Sequence, residues 1–225
     1  MEISHDVRYT SLVFVDKDAL NKALSRIATY YENVLHRDKY ISLAEWETTS
    51  KTLPKHTGFN APLSTLVSWS QLAGTDVSAE ERSLLDALLS KHARKDTRPY
   101  VIAYLKGDHE TLAHEKRHIL YHYDPMYRKQ SDVLWNKLTE AEQRLITAEL
   151  INRRYHCDHH VDEFQAYMAC DPFTFGSRGA KHLTAPTVRG IQKQLLDWDM
   201  AAVLGAREAG SSAGEKSNTP SKKKK

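Results

Sequence analysis

Tyr100-Val101-Ile102-Ala103-Tyr104-Leu105, broken by Gly107-Asp108 and followed by His114-Glu115-Lys116-Arg117-His118, is the stretch on which the fold turns. Six mostly apolar residues read as a short strand, and the amphipathic run after the break reads as a helix. On a helix, residues four apart share a face one turn on, so His114 and His118 can offer ring nitrogens to one tetrahedral ion. Glu115 then lies beside that ion, where a carboxylate can take a proton from water acidified by the cation. With 12 His placed at random among the Glu residues of this chain, the five-residue pattern is expected only about 0.04 times, so chance is a poor explanation for it.

A site with three protein ligands needs one more donor. Val161-Asp162-Glu163-Phe164-Gln165-Ala166-Tyr167-Met168 reads as a second amphipathic helix with Val161, Phe164 and Met168 as its apolar stripe. Glu163 and Tyr167 share another side, and Ala166 is small enough for two helices to approach closely. Glu163 is the expected third ligand. Asp124 competes for that role from six residues beyond His118, but Tyr121 stands where its backbone would have to turn sharply. Asp124 also precedes Pro125, as the N-cap of a following helix would.

His114, Glu115 and His118 followed by Glu163 on a later helix resemble the gluzincin branch of the zincin metallopeptidases, over roughly residues 100–170. The resemblance implies a Zn2+ held by His114, His118 and Glu163, a zinc-activated water, Glu115 as general base and acid, and a peptide or protein as substrate. The chain departs from the family in the middle of the motif, where Lys116 and Arg117 stand in place of the usual uncharged residues. Helical phase puts Lys116 among Leu112, Ile119 and Tyr123 on the apolar side. That departure motivates an alternative, a zincin scaffold kept as an interaction module without chemistry.

Other donors surround these residues. Hydrolysis of an amide needs a second group to steady the developing oxyanion, and Tyr167, Tyr123 and His160 are the candidates, with their order left open. His109 reads as an N-terminal helix residue. His122, one further turn past His118, is too far along the helix to share the ion with His114. His156-Cys157-Asp158-His159-His160 could supply an imidazole or hold a metal of its own, although its simpler reading is a polar loop with Asp158 capping the Glu163 helix. Cys157 and Cys170 form no framework pattern, so reduced thiols are expected.

Composition frames these readings: 225 residues, 40% hydrophobic, with nine Gly and seven Pro, suit a mainly helical α+β fold with a small sheet. Residues 1–204 are expected to form one zincin-like metal-binding domain and 205–225 a disordered basic tail. Arg8–Val15 reads as a strand, with Tyr100–Leu105 as its expected partner. Helices are expected over about Asp16–His36, Pro62–Leu72, Ser78–His92, Pro125–Lys137, Glu140–Tyr155 and Pro186–Leu204, with Ser78 and Thr139 as caps. Trp46, Trp69, Trp135 and Trp198 are expected to be core anchors.

Residues 206–225 carry a net charge of +4 against +3 for the whole chain, so the basic balance belongs to the tail. Lys222–Lys225 could give weak contact with nucleic acid or an anionic surface, and a third reading makes this nuclear or nucleic-acid-associated role primary. No run approaches the roughly 20 apolar residues of a membrane helix, and the first residues do not resemble a signal peptide. A cytoplasmic or nuclear protein is expected.

Overall fold

The computed structural model describes residues 1–53, 55–91, 93–175 and 183–198, with Arg94 described in its backbone alone. The tail, and the expected last helix beyond Trp198, lie outside the described residues. The fold is α+β and mainly helical, with one small sheet.

The sheet has four strands: β1 (Glu2–His5), β2 (Tyr9–Phe14), β3 (Gly58–Pro62) and β4 (Tyr100–Leu105). Their spatial order is β1-β2-β4-β3. The expected pairing of β2 with β4 is present and parallel, with Tyr9 opposite Tyr100 and Phe14 opposite Leu105. β1 and β3 flank this pair antiparallel. β4 reads as a continuous apolar run because both its faces are covered: Val101 and Ala103 enter one core, Tyr100 and Ile102 another.

Three helices cover the first face, α1 (Lys17–Glu32), α3 (Leu63–Ala73) and α4 (Ala79–Leu89), while the short α2 (Leu43–Thr49) contributes no buried residue. Leu20, Leu24 and Ile27 recur at helical spacing along α1 and pack with Leu12, Phe59, Trp69, Leu84 and Val101. α1 stops at Glu32, short of the expected His36, where the cap residue Asn33 is extended and bridges to Tyr155. Ser78 caps α4 in a reciprocal capping box with Glu81, as its sequence signature predicts.

Among the described residues five α-helices follow β4: α5 (His109–Tyr123), α6 (Pro125–Asn136), α7 (Glu140–Asn152), α8 (His160–Cys170) and α9 (Ala185–Leu196). They enclose a second core containing Leu120, Tyr127, Ile146, Phe164, Met168 and Leu195. α5 belongs to both halves, because its Ile119 and Leu112 pack against Tyr9, Tyr100 and Ile102 on the second face of the sheet. Trp69 is fully buried, Trp135 packs edge-on against Phe164 and Trp198 against Tyr127. Trp46 is only half-buried on α2, so the expectation of a core anchor does not hold there. Among the described residues no helix is long and apolar enough to cross a membrane.

Candidate metal centre

Asp108 opens α5 by accepting from the Thr111 backbone, which sets the helical phase that stacks His114 under His118. Their Nε2 atoms lie 3.1 Å apart. From α8, Glu163 brings Oε1 to 3.6 Å from the Nε2 of His118 and Oε2 to 3.6 Å from the Nε2 of His114. Tetrahedral bonds of roughly 2.0–2.1 Å to nitrogen or oxygen separate neighbouring donors by about 3.4 Å, and one donor atom from each of the three residues lies within 4.8 Å of the others. The arrangement can hold a metal ion.

A second observation supports the fit. Glu163 is 3% exposed, and its Oε2 has no hydrogen-bond partner. A buried carboxylate oxygen with no hydrogen-bond partner is costly, and a cation on the histidine side would satisfy it.

His118 is itself held in place. The Nδ1 of His118 is 2.8 Å from Oδ1 of Asp162, the arrangement that fixes an imidazole's tautomer and orientation for a metal. Asp162 in turn accepts from Gln165 at 2.9 Å, and Gln165 accepts from the Tyr127 hydroxyl at 2.6 Å, so the chain runs into the second core. Burial alone would depress the pKa of His118, but Asp162, Glu163 and Glu115 together outweigh it and raise it to about 10. Burial acts to raise Glu163, yet the His118 and His114 imidazoles leave it below the ordinary carboxylate range.

Glu115 sits beside the cluster, not in it. β3 alternates, with Phe59 and Ala61 in the first core and Gly58 and Asn60 on the face toward α5. The Nδ2 of Asn60 donates to Glu115 Oε2 at 3.0 Å, and the Tyr100 hydroxyl donates to Asn60 Oδ1 at 2.8 Å. Burial keeps the Glu115 carboxyl above its usual range, with His114 and His118 pulling partly the other way. A Cβ on Gly58 would come within 2.1 Å of Glu115 Oε1, so glycine is what lets this carboxylate approach the strand.

The cluster meets a cleft of about 840 Å³ through His114, which lines it with Glu115, Tyr167 and other residues, whereas His118 and Glu163 are not among its lining residues. Tyr167 packs its ring edge-on against His114 at 4.7 Å, fulfilling the expected shared face with Glu163. Its hydroxyl lies 3.3 Å from Arg153 and 3.4 Å from Tyr155, and burial pushes its pKa up to about 12, so it stays a donor. Glu32 and His56 also line the cleft, with Glu32 Oε1 3.6 Å from His56 Nδ1. Burial raises Glu32 well above the carboxylate range and lowers His56 to about 4.

The structure does not bring every expected residue here. His160 lines no part of the cleft and directs Nε2 to the Tyr155 carbonyl at 3.2 Å, so its expected catalytic role has no geometry behind it. Tyr123 turns its hydroxyl to the Arg8 carbonyl. Asp124 spends Oδ1 on the first turn of α6 and Oδ2 on Trp198, so Glu163 and not Asp124 groups with the two histidines. Asp158 is not the cap of the Glu163 helix: it lies in a short 3-10 turn ahead of it, where the His156 ring accepts from its backbone. His156, Cys157 and Asp158 do cluster, with two of the three exposed, and the two cysteines are free.

The charged pair inside the motif has a structural cause. Lys116 is half-buried, while Arg117 is 5% exposed and donates to the Leu195 carbonyl at 3.0 Å. The charge taken inside is therefore the arginine, against the expected phase, and it joins α5 to α9. Neither residue lines the cleft.

Comparison with protein-family models, curated proteins and solved structures finds no match to this chain.

Proposed function

We propose that the protein is a zinc-dependent hydrolase, similar to the gluzincin metallopeptidases, that cleaves a peptide or related amide bond. The observation that carries this reading is the grouping of the His114, His118 and Glu163 donors, with the buried Glu163 Oε2 lacking a hydrogen-bond partner and Glu115 alongside. Zinc bound by these three residues would supply a Lewis acid that polarises a carbonyl and lowers the pKa of water.

The chain's own residues supply the rest. Asp162 orients His118 and keeps its Nε2 toward the cluster. Glu115, with an upward-shifted carboxyl anchored through Oε2 by Asn60, is suited to take a proton from attacking water and return it to the leaving amine. Tyr167, a donor at neutral pH on the cleft wall, is the best-situated of the three expected oxyanion groups. With Lys116 and Arg117 both off the cleft, the non-catalytic scaffold reading gains nothing from the motif's charges.

The test is Glu115→Gln in the full, zinc-loaded chain assayed on a mixed peptide library. Zinc content should be unchanged and turnover should fall by about 10²-fold or more. Turnover at the parental rate would contradict the assignment.

A further inference from the structure

Four cations and four carboxylates, Glu32, Glu110, Glu115 and Asp171, line the cleft among the described residues, and three of the cations take no part in the hydrolytic chemistry. Lys51 and Lys55 come from the connection before β3, and Arg153 and Arg154 from the turn after α7. Arg153 is committed, holding Glu149 at 2.9 Å and the Tyr167 hydroxyl at 3.3 Å. Lys51, Lys55 and Arg154 have no ion-pair partner among the described residues, although all three line the cleft.

Arg154 also occupies a backbone position that resists it. Its φ of 75° is left-handed, a region costly for any residue with a Cβ. The surroundings enforce it: its N–H donates to Ile151 at 2.8 Å, its carbonyl accepts from Val34 at 2.7 Å, and the next residue bridges to Asn33. Glycine or asparagine would sit there more cheaply. A strained position that retains a large cation on the wall of a cleft points to a job for the cation.

We propose that this cleft selects substrates bearing a carboxylate, which docks on Arg154 while Lys51 and Lys55 add to the field. A guanidinium pairs with carboxylates through two parallel hydrogen bonds, so Arg154 carries the recognition, and the two lysines offset part of the charge of the carboxylates that share the cleft. The carboxylate can come from an Asp or Glu side chain or from the end of the peptide chain. The inference rests on the peptidase reading for its substrate class, but its binding half is measurable without turnover.

The experiment uses the full zinc-loaded chain and matched fluorescent peptides in three forms: one Glu and an amidated C-terminus, Gln in its place, and Gln with a free C-terminus. Arg154→Gly suits the left-handed backbone and removes only the cation, and a Lys51→Gln, Lys55→Gln pair gives an independent variant. The charged form should exceed its neutral partner about tenfold in kcat/KM and in binding affinity, with the ratio falling toward one in both variants. Which peptide shows the preference assigns the carboxylate to side chain or terminus. Preferential binding without hydrolysis would support the carboxylate site and count against the peptidase reading. Equal handling of all three peptides, or no binding of any, overturns the proposal. Equal competition by an oligonucleotide of matched charge also overturns it, since the cations would then be a non-specific field.

Discussion

Glu115 depends on a neighbour with no side chain. Gly58→Ala would drive a methyl group against its carboxylate and against Thr111 Cγ2, which lies 2.6 Å from the added atom. Because the metal donors lie elsewhere, turnover should fall by about 10²-fold while zinc content stays at the parental level, measured together on one preparation. Unaltered turnover would show that Glu115 needs no such seat. His118 offers a second test. Its metal-free pKa of about 10 lies above the ordinary 6.5, so the stability from its charged form is fully present below 6.5 and lost as pH rises through 10. Metal must displace that proton, so zinc binding at pH 7 should release protons and tighten as pH rises. Calorimetry in buffers of differing ionisation enthalpy measures the release, and a binding heat independent of buffer would contradict it. His114, Glu115 and His118 could be grouped from the sequence because helical spacing is local, whereas Glu163 was chosen as the donor on a second amphipathic helix 45 residues on. Asn60 and Tyr100 could not be placed with them, since Asn60 lies 55 residues from Glu115 and 40 from Tyr100, and no local period relates them.

The element that does most to order the site is α5, which touches the sheet through Ile119 and the helical core through Leu120. Arg117 secures its inner side to the C-terminal turn of α9. Arg117→Ala should therefore lower stability by about 1–3 kcal/mol, read from denaturant midpoints, because it strands the Leu195 carbonyl and leaves a void. An unchanged midpoint would mean that α9 docks without it. Sequence reading found β2, β4 and the long helices, whose apolar periods are unambiguous. It missed β3, whose Gly-Phe-Asn-Ala-Pro sequence carries little strand propensity and is ordered by pairing with β4. The expected single helix over Glu140–Tyr155 ends at Asn152 because Arg154 turns left-handed, something its side chain does not announce.

Across the whole molecule, the candidate site draws on both halves: Gly58 and Asn60 come from the sheet, Asp162, Glu163 and Tyr167 from α8, and α5 joins them. Donors brought together from such distant parts of the chain make metal binding a property of the folded state. The mainly helical α+β class could be inferred from composition and period, but the encounter of α5 with α8 rested on the pairing of two motifs 45 residues apart. The most direct test is the metal content of freshly purified full-length protein alongside His114→Ala, His118→Ala and Glu163→Ala. The account predicts one zinc per parental chain and its loss in each variant, with all four proteins folded by circular dichroism. A folded parental protein that takes up no metal when zinc is supplied, or variants that keep it, would contradict the account.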